Sequence, residues 1–386
     1  MKITAIRTKG VPMKSPMRNA FISFSEMTGS IVQIETDIIR NGRPLVGRGF
    51  SSNGRYAQTG ILLERMIPRI LGAPAESLLD DAGTNFDPFK AWDIMMTNEK
   101  PGGHGERSVA VGVIDMALWD LVAKIEDLPL YRLIADRFNH GNFDSRVFTY
   151  AAGGYYYPDS GIPKLVEEMQ KYLDSGYDTV KMKVGGASLS EDLKRIEAVL
   201  NVVGEGSRVA VDANGRFSLQ QAVEFEKAIR PYNLKWYEEA GDPLDYQLQA
   251  ELSRASRIPM ATGENLFSHQ DVRNLVRHAG LNPKADFLQM DPALAYGLVE
   301  YLRMLKVLND NGWSPRRCIP HGGHNFALHL AAGLQLYGNE SYPGVFQPFG
   351  GFGDELSPDN GFFSLPQQPG IGIETKANLL ELYRDF

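Results

Sequence analysis

The feature that most constrains this chain is a regular beat of ionisable residues. Asp212, Glu238 and Glu264 stand 26 residues apart, each at the end of a short apolar run that is followed by a helix-like segment. That spacing is one strand plus one helix, so it predicts three carboxylates at equivalent places on three successive strands of a parallel barrel. The beat continues outward: Lys183 precedes Asp212 by 29 residues, Asp291 follows Glu264 by 27, and His321 follows Asp291 by 30. Six ionisable groups on one rim define an active site.

The pattern changes near residue 145. Before it, strand-like runs (Ile3 to Val11, Ser30 to Glu35, Leu45 to Phe50) lead into helical patterns at Gln58 to Ile70 and Ser108 to Lys124, which reads as an α+β domain over residues 1–145. After it, strands and helices alternate at Val147 to Ala151, Thr179 to Val184, Arg208 to Ala213, Lys235 to Glu239, Pro259 to Gly263, Asp286 to Met290 and Cys318 to Pro320, with an eighth strand expected near Val345. This predicts an α/β barrel over residues 146–364, a modified TIM barrel of (β/α)7β type. The intervening helices are amphipathic: Leu193, Ile196, Val199, Leu200 and Val203 recur at helical spacing after a candidate cap at Ser190. The last segment, about 365–386, is too short for a domain and is expected to complete the first one as a cap.

A chain of 386 residues with 43% apolar content can bury a sizeable core. Its formal net charge of −7, without a basic tract, disfavours nucleic acid as a partner and leaves a small molecule as the expected one. No apolar stretch reaches the ~18 residues of a membrane span, and Met1 to Gly10 carries no signal core, so a cytoplasmic enzyme is expected. The one cysteine, Cys318, excludes an internal disulfide and reads as a buried small residue.

Lys181 and Lys183, separated only by Met182, must point to the same side of their strand, and in a barrel that side is inward. Two neighbouring ammonium groups repel, so at least one is expected to have a depressed pKa and to serve as a base. A salt-bridged structural pair is the alternative, and the place of the motif at a C-terminal strand end favours chemistry. Asp212, Glu238 and Glu264, pointing inward without a cation, would also repel one another, whereas a divalent metal accepts all three. Hard oxygen donors without cysteine favour Mg2+ over Zn2+. At the far side, Asp291 can hold His321 through its Nδ1 proton and fix its tautomer, making an acid/base dyad. With a substrate carboxylate on the metal, loss of the α-proton gives an enediolate whose charge the metal and Lys181 can stabilise. A protonated group opposite then either returns a proton to carbon, giving racemisation, or protonates a β-hydroxyl, giving dehydration; these parts support both.

The run Ser108-Val109-Ala110 through Asp115-Met116-Ala117-Leu118-Trp119-Asp120, followed by Leu128-Pro129-Leu130-Tyr131, resembles the signature helix of the enolase superfamily. Lys181-Met182-Lys183, Val211-Asp212-Ala213-Asn214, Glu238-Glu239, Gly263-Glu264-Asn265, Asp291 and His321 follow in that superfamily's order. The lysine pair with a His-Asp dyad resembles the mandelate racemase subgroup, and within it the members that dehydrate D-tartrate. The resemblance implies one Mg2+ on Asp212, Glu238 and Glu264, Lys183 as the base at the α-carbon, and His321 as the acid at the departing hydroxyl. D-tartrate would then give an enol that tautomerises to oxaloacetate. Two positions depart from the commoner pattern: Ala240 stands where proline is frequent, and Gln347 where many relatives place a glutamate that binds the substrate carboxylate.

A dicarboxylate needs a second cationic or donor contact, expected from the first domain acting as a cap. Two loops are candidates, Lys14 to Glu26 with Asn19, and the glycine-rich Lys100 to Gly105 with Lys100; Asn214, beside Asp212, is a third substrate contact. The expected partners are a small hydroxy acid and further copies of the chain in a homo-oligomer, with no nucleic acid and no membrane. Competing readings are another acid-sugar dehydratase, a racemase of the mandelate type, a Schiff-base aldolase using Lys183, a two-carboxylate glycosidase and a non-catalytic metal-binding protein.

Overall fold

The computed structural model describes residues 1–13, 15, 17–157 and 161–386. Lys14, the start of the first candidate cap loop, lies outside them. The chain opens with an antiparallel sheet of β1 (Ile3–Pro12), β2 (Thr28–Arg40) and β3 (Arg43–Phe50), in that order. The long helix Arg107–Ile125 packs across this sheet and is buried on nearly every side. An all-round apolar helix of this kind must be covered all round. The sheet covers one face of it, and the barrel helix Gly297–Asp310 covers another.

The contact is backbone to backbone. A side chain at Gly112 would run into the Ala293 carbonyl oxygen, and one at Gly47 into that of Ala117. Asp115, fully buried, accepts the Leu298 N–H at 2.6 Å, which ties the helix to the start of Gly297–Asp310. Gly112→Val is expected to destabilise the protein by more than about 3 kcal/mol through overpacking against an unyielding backbone. A melting temperature equal to that of the wild type would contradict this packing.

The second region is a parallel sheet curled into a barrel: β4 (Arg146–Gly153), β5 (Val180–Lys183), β6 (Val209–Asp212), β7 (Tyr237–Glu238), β8 (Met260–Thr262), β9 (Phe287–Leu288) and β10 (Asn339–Ser341), with β11 (Phe362–Ser364) added antiparallel to β4. The seventh stave narrows to one bridge, Leu288 to Cys318, and Tyr337 N–H donates to Cys318 O at 3.0 Å on the way into β10. A helix follows each of the first seven staves and β10 closes on β4, so the barrel has the expected (β/α)7β form.

Two boundaries differ from the sequence expectation. The eighth strand is Asn339–Ser341 and not near Val345, because the last unit has only the short helix Asn325–Gly333 and returns to the sheet early. The helix Leu189–Val203 is capped by Ser188, whose Oγ accepts the Glu191 N–H at 3.3 Å, and not by Ser190.

The C-terminal segment lies against the first region. Ile371 N–H donates to Asp120 at 2.7 Å, Lys124 bridges Asp120 and Glu374 at 2.6 and 2.8 Å, and Tyr383 donates to Gly49 O at 2.7 Å. Among the described residues, no helix is long and apolar enough to cross a membrane.

Candidate active site

Lys183, Asp212 and Glu238 face one another in register at the C-terminal ends of β5, β6 and β7. Glu264 departs from the expected equivalence. Glu238 pairs with Ala261, so Glu264 lies beyond the end of β8 and reaches back to the rim from the following turn. Gly263 makes that turn possible, with φ +127° and its Cα side 3.0 Å from Gln289 N for any added Cβ. The three carboxylates converge, each offering an oxygen within 4.8 Å of the others, and Glu264 Oε2 is a buried acceptor with no hydrogen-bond partner among the described residues. An all-oxygen, acidic cluster with an orphaned acceptor fits a hard divalent cation such as Mg2+.

Both lysines point inward and are buried, and both are tied to these acids. Lys181 Nζ stands 2.5 Å from Glu238, 2.8 Å from Glu340 and 3.4 Å from Asp212, and Lys183 Nζ pairs with Asp212. The expectation of a lysine with a depressed pKa is not met by the chain's own groups. Burial opposes the charge of Lys183, but Asp212 outweighs it and raises the ammonium, and Glu238 and Glu340 do the same for Lys181. Each lysine has a carboxylate oxygen within hydrogen-bond reach. Burial, with Asp212 beside it, pushes Glu238 up to about 8 against the pull of Lys181. Trp236 and Gln289 each donate to Glu238 Oε2 at 2.8 Å, which fixes that side chain from below.

Across the rim, His321 Nδ1 is 2.8 Å from Asp291 Oδ2, and its Nε2 is 3.5 Å from Glu264 and 3.3 Å from the Tyr342 hydroxyl. Burial opposes charge on this imidazole, but Glu264, Glu340 and Asp291 raise it to about 10, so the ring carries its proton. Asp291 is buried and also accepts the N–H groups of Ala293 and Leu294, so its Oδ1 is committed to the backbone and its Oδ2 to the histidine.

Lys183, Glu264, His321 and Asn214 line one cavity of about 280 Å3. Asn214, at φ +47°, sits just past β6 and donates its backbone N–H to Asp212 at 2.8 Å, while its Oδ1 is buried without a hydrogen-bond partner among the described residues. Asn19 also lines the cavity, yet its Oδ1 is spent on the N–H groups of Phe21 and Ile22 at 2.8 and 2.7 Å, which shapes its own loop. Phe24 anchors that loop to the barrel against Phe346 and Tyr155, ring centroids 4.8 and 5.9 Å away. Lys100 stands exposed and away from the cavity lining. Its loop is pinned instead by His104, 3.1 Å from both Asp271 and the Tyr296 hydroxyl.

Sequence reasoning missed Glu340. It touches Lys181, stands 3.9 Å from His321 and accepts the Gly322 N–H at 3.0 Å, and burial is outweighed by Lys181 and His321 so that its pKa falls to about 2. Its distance from His321 is well short of the 26–30 residue beat, which is why the beat passed over it. Gln347, further along the chain, turns away to Lys376 and Asn378. Tyr155 and Arg55 are further cavity residues that no motif reading singled out, and Glu239, read only as part of the Glu238-Glu239 motif, lines the cavity as well.

Residues 164–379 match the enolase C-terminal domain-like family, and residues 2–135 match the mandelate racemase/muconate lactonizing enzyme N-terminal domain. The chain belongs to the mandelate racemase/muconate lactonizing enzyme family. Similar family members include the arabinonate dehydratase of Saccharolobus solfataricus, 28% identical over 307 residues that cover 76% of this chain and 77% of that protein. The L-talarate/galactarate dehydratase of Salmonella typhimurium is 28% identical over 335 residues, 87% of this chain and 78% of that one. Among solved structures, the L-talarate dehydratase of Polaromonas sp. JS666 complexed with Mg and L-glucarate superposes with a TM-score of 0.77 at 25% identity, covering 97% of this chain and 95% of that one. Within this family's frame, the barrel rim carries the acids, the lysine pair and the dyad, and the first region closes the cavity above them.

Proposed function

We propose that the protein is a Mg2+-dependent hydro-lyase acting on a hydroxy dicarboxylate, with D-tartrate going to oxaloacetate. The observation that carries this reading is the placement of Lys183 and the His321–Asp291 pair on either side of the converging acids Asp212, Glu238 and Glu264, with Lys183, Glu264 and His321 opening into one cavity. The relatives that dehydrate sugar acids support the reaction class. Asp212, Glu238 and Glu264 are the residues that would hold the ion. An ion held there would supply a Lewis acid for the substrate carboxylate and would offset the negative charge that keeps Lys183 protonated.

Lys183 takes the α-proton. Lys181, fixed between Glu238 and Glu340, presents its ammonium to the enediolate oxygens as charge develops. His321, held by Asp291, gives its proton to the β-hydroxyl, which leaves as water, and the resulting enol tautomerises to the keto acid. Asn214 and Asn19 are the proposed neutral contacts to the substrate hydroxyls. Lys100 is proposed only as a loop residue that approaches if its segment shifts, since its side chain stands outside the cavity lining.

A panel of hydroxy acids incubated with the Mg2+-loaded protein and assayed for keto acid tests the reading. D-tartrate should give oxaloacetate, chelation should stop the reaction, and added Mg2+ should restore it. Epimerised acid without keto acid would replace dehydration by racemisation, which the same two groups can perform. Borohydride trapping of substrate on Lys183 would instead favour the aldolase. Activity that survives exhaustive metal removal would overturn the assignment of the three carboxylates.

A further inference from the structure

Arg55 enters the cavity from the loop after β3, on the side of the first region that faces the barrel mouth. Its guanidinium is held rigidly: one nitrogen donates to Asn265 Oδ1 at 2.6 Å, another to Gly54 O at 2.6 Å, and the group lies over the Phe267 ring, 5.1 Å from its centroid. Asn265 is itself oriented, because its amide donates to both oxygens of the buried Glu239 at 3.0 and 3.1 Å. No carboxylate oxygen lies within 4.0 Å of Arg55 among the described residues. A charged fork, fixed in place, with unspent N–H donors and without an acidic partner, is preorganised for a carboxylate from elsewhere.

The rest of the lining sharpens the assignment. Asp242 and Glu264 also face the cavity, and their charges would repel a second carboxylate unless a cation received it. Lys183 and His321 are committed to the reacting carbons. Lys100, the cap cation expected from the sequence, is outside the lining.

We propose that Arg55 receives the substrate's remote carboxylate and makes the protein selective for dicarboxylic over monocarboxylic hydroxy acids. This rests on the dehydratase reading for its catalytic readout, and on binding alone for its second. The first experiment compares kcat/KM of the Mg2+-loaded protein for D-tartrate and for the matching 2,3,4-trihydroxybutanoate, in which a hydroxymethyl replaces one carboxylate. The wild type should prefer the diacid by about 100-fold, the scale of a desolvated charge-assisted contact, and Arg55→Gln should collapse that preference to within about threefold, chiefly through KM on the diacid. Arg55→Lys should keep part of it, since an ammonium restores charge without the fork.

The second experiment titrates malate and 2-hydroxybutanoate into the same Mg2+-loaded proteins by calorimetry. Wild type should bind malate at least about tenfold more tightly, and Arg55→Gln should erase the difference. An unchanged ratio in Arg55→Gln, whether both acids weaken equally or neither does, overturns the proposal and leaves Arg55 a structural tie. If the wild type dehydrates neither acid the dehydratase reading falls, and the malate comparison then decides Arg55 by itself.

Discussion

Lys183→Ala is expected to abolish both oxaloacetate formation and exchange of the substrate α-proton with solvent, each by at least about 10^4-fold. The reason is geometric. Lys183 is the cavity-lining amine of the lysine pair, whereas Lys181 lies deeper among Glu238, Glu340 and Asp212 and is enclosed by them. Removing the base leaves no neutral group on that side to take the proton, and Asp212 loses its ammonium partner as well. Exchange is followed by NMR in deuterated water and turnover by keto-acid assay. Survival of exchange in the alanine variant would move the base to the other side of the cavity.

His321→Asn separates the two half-reactions. The asparagine keeps a polar contact near Asp291 but has no proton to give, so product formation should fall by about 10^3-fold or more while α-proton exchange by Lys183 persists. The observation behind this is that His321 has one nitrogen on Asp291 and the other turned toward Glu264 and Tyr342, with its charge favoured by three surrounding carboxylates. Retained turnover with lost exchange would reverse the roles of the two groups. Loss of both would mean that His321 also positions the substrate for deprotonation.

The sequence made the rim legible because strand and helix lengths repeat, and because period-two alternation forces Lys181 and Lys183 to one side. It was less informative wherever a loop, and not a strand, delivers the side chain. Glu264 keeps the 26-residue beat by coincidence of turn length, since its strand is already over when it appears. Glu340 breaks the beat because the final helix is short, so the acid that pairs with Lys181 went unseen. The cap contacts were the least legible of all. Asn19 and Lys100 are candidates by their chemistry, and Asn19 does line the cavity, but Lys100 stands exposed on a loop tied down by His104, while Arg55, held by Asn265, lines the cavity unannounced by any motif. The depressed lysine pKa failed for a similar reason, as it weighed the neighbouring ammonium but not the carboxylates brought from other strands.

A crystal of the protein soaked in Mn2+ as an anomalous stand-in for Mg2+ tests the central claim most directly. The account predicts one strong anomalous peak at the rim, coordinated at about 2.0–2.3 Å by oxygens of Asp212, Glu238 and Glu264 together. A peak at another place, or a well-ordered rim with no peak while the lysines keep these acids, would contradict it.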